Sequence, residues 1–391
     1  MAVAAPAMGS GPVRLVTKFA GSGSWASAAP AAGPALAADL TYPEALLFDS
    51  AGNLYFADAY GNTVNKVTPA GQLSVLAGTG NQSPSTTPAP GSATSVDLNY
   101  VTGLARDAAG NLYVASQAQN VVDKIDTSGN LTIVAGNGTR PDPGVVATPG
   151  TATQTGIRYP HAVAVDSIGN LYISDDTGAV YKVDTSGTLS IFAGTGGTTP
   201  SGTPIAGTSA LLNDVEGLAV DSQDNLYVAC GSDHTVVEVT PAGQLTVFAG
   251  SGSALAGGAT PAAGPAAAAA LNYPFALAVD SGNNLYIADP YGDNITEVTP
   301  AGQLSVVGGN GAGTSETWNS DATMSSLGGP EGVAVDPSGA VFFGDWNNSV
   351  IGRIAAVSGP SAPTSFSATA GGAAGSADLT FSAPRTPTGC R

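Results

Sequence analysis

Glu44, Thr102, His161, Glu216, Phe275 and Glu331 recur at intervals of 55 to 59 residues, each one place after a recurring Pro position. If one fold brings these positions to a common opening, three carboxylates and one imidazole face a single point. That is the chemistry of a cation site, so Glu44, His161, Glu216 and Glu331 are candidate ligands for a divalent cation at a channel mouth. Hydrated carboxylates around a wide opening are the alternative. No other cofactor is expected, and no catalytic residue stands out. Gly-x-Ser-x-Gly, HExxH, P-loop and EF-hand patterns are missing, and the Gly-x-Gly pairs lack the strand-to-helix context of a dinucleotide site. Asp175 and Asp176 fall in a short turn, where solvation is expected.

A second constellation is aromatic. The chain has three tryptophans, Trp25, Trp318 and Trp346, and Tyr60 and Tyr291 occupy comparable turn positions. With Asn347, Asn348, Asp293 and Asn294 at its edge, such a group offers apolar faces with a polar rim, the composition of a platform for sugar rings or an extended peptide. Trp25, Trp318, Trp346, Asn347, Tyr291 and Tyr60 are therefore candidate ligand-binding residues. The competing role is structural, with the indoles pinning long loops or lining a seam.

Both constellations depend on a repeat. The stretch YPEALLFDSAGNLYFADAYGNTVNKVTPAGQLSVLAGTG, from Tyr42 to Gly80, returns from Tyr100, Tyr159, Asp214 and Tyr273, and partly from Gly329. Within each of the six units the hydrophobic pattern has period two and breaks at turn residues, which predicts four short antiparallel strands, here called a to d. In the fourth unit they are expected at Gly217 to Val220, Leu226 to Ala229, Val236 to Val239 and Leu245 to Ala249. Asp-x-x-Gly-Asn turns join a to b, and Pro-Ala-Gly or Thr-Ser-Gly turns join c to d. The aspartates Asp49, Asp107, Asp166, Asp221, Asp280 and Asp336 read as turn caps through Asx-type hydrogen bonds.

A four-stranded unit cannot bury both of its faces alone, so the six must stack around an axis as an all-β, six-bladed propeller of four-stranded antiparallel blades. The sixth unit stops after strand c near Ile354. Val16 to Gly23 matches the d-strand text of Leu245 to Gly252, so the N-terminal strand is expected to complete blade six and close the ring. The b-to-c turns and the long d-to-a connections then share one variable face, with Leu40, Leu98, Ile157, Leu212, Leu271 and Leu327 anchoring the connections. Connections of that length are usually functional or disordered.

The repeated Pro-x-Gly/Ala-x-Ala-Val-Asp, Gly-Asn-Leu-Tyr-x-Ala-Asp and Ala-Gly-x-Gly segments resemble the NHL repeat of the TolB-like propeller superfamily, over residues 13–356. The resemblance implies the six-bladed fold. It leaves function open, since such domains include extracellular ligand-binding modules, interaction modules and metal-dependent lyases. The lyases draw on several histidines, whereas this chain has two. Residues 357–391 are expected to be a linker and a truncated fibronectin type III-like fragment, disordered here, of a longer multidomain protein; SAPTSFSATAGGAAGSADLTFSAP is similar to the first two strands of such a domain.

Composition narrows the partners. With 11 Lys plus Arg against 29 Asp plus Glu, the net charge is −18, which excludes a nucleic-acid groove and disfavours an anionic membrane surface. No apolar run reaches the ~18 residues of a membrane span, so no membrane insertion is expected. Cys230 and Cys390 form no CxxC pair, and Cys230, without a basic neighbour, is expected to be a buried inert thiol. A signal peptide is not visible at Met1 to Gly11; the low Lys content leans toward an extracellular or cell-envelope protein. The expectation is a monomeric, non-catalytic binding module for a carbohydrate or for a protein or peptide ligand. A metal-dependent, lactonase-like hydrolase or lyase and a structural spacer in a large surface protein are the alternatives.

Overall fold

The computed structural model describes residues 13–25, 29–82, 88–256, 258–313 and 318–357, together with the backbone strands Phe366–Ala370 and Ala377–Phe381. Six antiparallel sheets form a six-bladed propeller. In the first blade strands a to d are Pro43–Phe48, Leu54–Asp58, Thr63–Val67 and Gln72–Ala77. In the fourth they are Val215–Val220, Leu226–Cys230, Thr235–Val239 and Gln244–Ala249, within two residues of the expected limits at every end.

Ring closure follows the expected route. Arg14–Ala20 is strand d of blade six, paired antiparallel to Val350–Ala356 with Arg14 opposite Ala356 and Thr17 opposite Arg353. The hydrophobic core is divided accordingly, one cluster at each blade interface. That between blades six and one joins Phe342 and Ile351 to Leu46, Phe56 and Leu73, so neither blade buries its apolar face without the other.

One feature of the blades differs from expectation: each sheet has five strands rather than four. The fifth is a two-residue strand from the connection preceding the blade, such as Gly33–Pro34 beside Gln72–Ala77, or Ser320–Asp321 beside Arg14–Ala20. Two residues are too few to carry a period. Behind this short strand the connection makes a repeated link between blades. The Ala93 carbonyl accepts the Gly78 N–H of blade one at 3.0 Å, and the Ala93 N–H donates to the Gly129 carbonyl of blade two at 2.9 Å. Ala35, Ala152, Gly207, Ala266 and Ala322 repeat the pair of bonds, with Arg14 accepting from Ala322 at the closure. The d-to-a connections are thus partly built into the blades instead of being free loops, and their anchors Leu40, Leu98, Ile157, Leu271 and Leu327 are fully buried.

The strand-a aspartates cap turns as expected. Asp49 accepts the backbone N–H groups of Ala51 at 3.0 Å and Asn53 at 2.9 Å, the Asn53 amide at 2.8 Å and the Tyr55 hydroxyl at 3.1 Å. Phe366–Ala370 and Ala377–Phe381 pair as an antiparallel hairpin. The rest of the expected fibronectin-like fragment, including Cys390, lies outside the described residues.

Candidate functional site

The start of each strand a lies at the face that carries the b-to-c turns, and there Glu44, His161, Glu216 and Glu331 converge. His161 sits between two carboxylates, its Nε2 3.2 Å from Glu44 Oε1 and its Nδ1 3.4 Å from Glu216 Oε2. Nδ1 also lies 2.8 Å from the Glu216 carbonyl. Burial disfavours the charged imidazole, but the hydrogen bond to Glu44 and the charges of Glu216 and Glu44 outweigh it and lift its pKa to about 9. His161 is therefore an imidazolium bridge at neutral pH, with both nitrogens engaged. Burial raises the Glu44 pKa against the opposing pull of His161, and raises Glu331 to about 8, with the hydrogen bond from Tyr42 acting the other way. Among the described residues no group of three or more His, Cys, Asp or Glu is arranged to hold a metal ion.

Below this ring the channel narrows to a throat cavity of about 60 Å³. Above it opens a vestibule of about 300 Å³ lined by Tyr42, Tyr100, Tyr159 and Phe275, with Asp175, Asp176 and Asp214 also at its wall. The tyrosines are held in place by an unusual backbone. Tyr100 and Tyr159 take φ of +54° and +46°, and Asp214, at the same place in blade four, takes +47°. The left-handed region is uncommon for a bulky side chain. It is maintained by turn residues of the preceding blade, since Asn62 Oδ1 accepts the Tyr100 N–H at 2.8 Å and Asn120 Oδ1 that of Tyr159 at 3.1 Å.

From the vestibule an aromatic arc runs outward. Tyr42 lies 5.8 Å from Trp346 and 5.1 Å from Tyr60; Tyr60 lies 5.1 Å from Tyr100 and 6.1 Å from Trp25. Trp25 and Tyr60 remain 57% and 52% exposed, so the outer end of the arc is open to solvent. Trp25, Tyr60 and Trp346 are thus brought together as the spacing suggested.

Trp318 and Tyr291 are not part of this group. Trp318 is partly buried and packs against the apolar cluster between blades five and six, which includes Val16 and Val307. Tyr291 is 67% exposed and meets Tyr273 edge to face, with ring centroids 5.0 Å apart. The Asn347 amide donates to the Gly328 carbonyl at 2.8 Å, tying the b-to-c turn of blade six to the connection that precedes its strand a. Cys230 is buried and free, and burial pushes its thiol pKa well up. Tyr42, Tyr100, Tyr159 and Tyr273 do not stand out in the sequence because they recur as part of the repeat itself. The departures from Tyr at Asp214 and Gly329 were the available signal.

A sequence model described as Teneurin NHL domain matches residues 27–195 and 117–319. No curated protein sequence matches the chain. Among solved structures the fold is similar to an auxiliary nutrient binding protein from Bacteroides thetaiotaomicron, at 15% identity and a TM-score of 0.61 over 88% of this chain and 77% of that one. A second auxiliary nutrient binding protein, from Bacteroides ovatus, gives 13% identity and a TM-score of 0.59 over 88% and 77% of the two chains. A gluconolactonase from Xanthomonas campestris gives 15% and 0.51 over 81% and 86%. At such identities the likeness is one of fold.

Proposed function

The chain belongs to the Teneurin NHL domain family, and from that premise we propose that it is a non-catalytic binding module whose vestibule takes a carbohydrate, in an extracellular or envelope-exposed protein. The observation that carries this reading is the aromatic arc from Trp346 through Tyr42 and Tyr60 to Tyr100, ending on an acidic vestibule. Sugar rings present apolar C–H faces to aromatic rings and hydroxyl donors to carboxylates, and the arc supplies both partners side by side. A volume of about 300 Å³ lies at the lower end of small-molecule sites. The likeness to auxiliary nutrient binding proteins is compatible with a binding role and is one of fold. A hydrolytic reading has the gluconolactonase likeness behind it, and likeness of fold carries no chemistry.

A glycan array probed with the labelled ring, followed by calorimetric titration of each hit against Trp346→Ala, tests the proposal. Saturable binding that weakens about fivefold on losing the indole is expected, in line with the ~1 kcal/mol of an aromatic contact. An array without hits, or a variant altered only in melting temperature, overturns it.

A further inference from the structure

Three carboxyl groups, Glu44, Glu216 and Glu331, face the single imidazole of His161. Two of the three are incompletely used. Glu44 is 3% exposed and Glu331 9% exposed; both line the throat cavity, and Glu44 Oε2 and Glu331 Oε2 are buried without a hydrogen-bond partner. The other Glu44 oxygen is taken by His161. A buried carboxylate oxygen left unpaired is costly, and such groups in native proteins ordinarily have a partner that explains them.

The surroundings specify that partner. Glu44, held toward its charged form by His161, needs a donor rather than another acceptor. A cation arriving beside Glu331 would displace the proton that burial holds on it up to about pH 8. The acidic side chains at the mouth outnumber the basic ones. Asp214 and Asp175 lie at the vestibule wall, while Arg158 is paired to Asp176 at 2.8 Å. Tyr42 and Tyr100 line the entrance, and aromatic rings attract organic cations. The throat, at about 60 Å³, has room for a few water-sized groups, each needing roughly 10–15 Å³ on this measure, and an ammonium head is of that size. A protonated primary amine supplies three donors and one positive charge within that size.

We propose that the ligand of the vestibule carries a primary ammonium group, which enters the throat and donates to Glu44 and Glu331 while the body of the ligand rests on Tyr42 and Tyr100. This rests on the vestibule being the binding site proposed above. An amino sugar and the side-chain amine of a lysine share the required chemistry.

Calorimetry at pH 7, on protein dialysed against EDTA so that no divalent ion competes, separates the cases. The probes are D-glucosamine, N-acetyl-D-glucosamine, D-glucose and lysine methyl ester with its α-amine acetylated. An amine probe is expected to bind at least tenfold tighter than the acetylated or neutral sugars, with the preference lost in Glu44→Gln. Tighter binding of glucosamine than of the lysine derivative names an amino sugar as the source. Binding of the lysine derivative alone upholds the ammonium site and removes the carbohydrate reading. Equal binding of all three sugars keeps the carbohydrate reading and overturns the ammonium site, as does an amine preference that survives in Glu44→Gln or an absence of binding by both amines. If Glu44→Gln fails to fold, Asp214→Asn, on the exposed rim, serves in its place, with an expected reduction of the preference of about threefold and an unchanged preference overturning the proposal.

Discussion

Tyr100 holds a left-handed backbone, φ +54°, that glycine would adopt without strain. The strain, roughly 1 kcal/mol, is of the kind retained where a side chain must be aimed at a site. Tyr100→Gly relieves it but removes the ring packed 5.1 Å from Tyr60, a contact of similar size. Melting temperature is therefore expected to change by only a few degrees, while titration calorimetry with any sugar bound by the wild type shows weakened affinity. His161 offers a second check. Its folded-state pKa, about 9, lies above the ordinary 6.5, so its charge stabilises the fold fully below pH 6.5 and the contribution disappears as the pH rises through 9. His161→Gln is expected to cost on the order of 3 kcal/mol at pH 6, and the gap from wild type in urea unfolding should shrink toward pH 10. A gap independent of pH would contradict the bridge.

At the scale of elements, the link between blades depends on glycines at the two ends of strand d. Gly78 has φ +85°, and a Cβ there would strike the Asn62 carbonyl; Gly71 has φ +74° with nothing nearby. Gly71→Ala is expected to cost about 1 kcal/mol for its backbone alone, and Gly78→Ala clearly more, as measured by thermal unfolding. Deleting residues 1–23 removes Arg14–Ala20 and bares the edge of Val350–Ala356, together with the Arg14 carbonyl that Ala322 uses. Loss of cooperative unfolding, or a dimer formed through that edge, is expected in calorimetry and light scattering. The strands and the closure were legible because Val16 to Gly23 copies the text of Leu245 to Gly252. The fifth strand was not, since Gly33–Pro34 is shorter than any periodic signal and acquires its partner Gln72–Ala77 only through the fold.

For the whole molecule, buried carboxyls set the response to pH. Burial raises Asp58 to about 6, Asp123 to about 7, Asp175 to about 6 and Glu331 to about 8. Between their ordinary values and these, the folded state binds more protons than the unfolded, so stability falls as pH rises. The turn aspartates Asp49 and Asp107 act in the opposite sense, their hydrogen bonds overcoming burial to lower their pKa, and their contribution is lost on acidification. Thermal stability is expected to peak at mildly acidic pH and to decline through pH 8, a trend that a net charge of −18 reinforces. A plateau from pH 5 to 8 would contradict this. The site was only half legible at this scale. Glu44, His161 and Glu331 could be placed on one ring from the repeat, but that His161 bridges Glu44 and Glu216, and that Trp318 turns into the seam between blades while Trp346 meets Tyr42, follows from packing across blades that sequence spacing does not encode. The central claim, that the tyrosine-lined mouth binds a ligand, is tested most directly by the fluorescence of Trp346 and Trp25 during titration with glucose, galactose and glucosamine. A saturable change with at least one sugar, abolished in the Tyr42→Ala/Tyr100→Ala double variant while that variant still unfolds cooperatively, is the predicted result. No saturable change with any of the three, or the same change in the double variant, would contradict it.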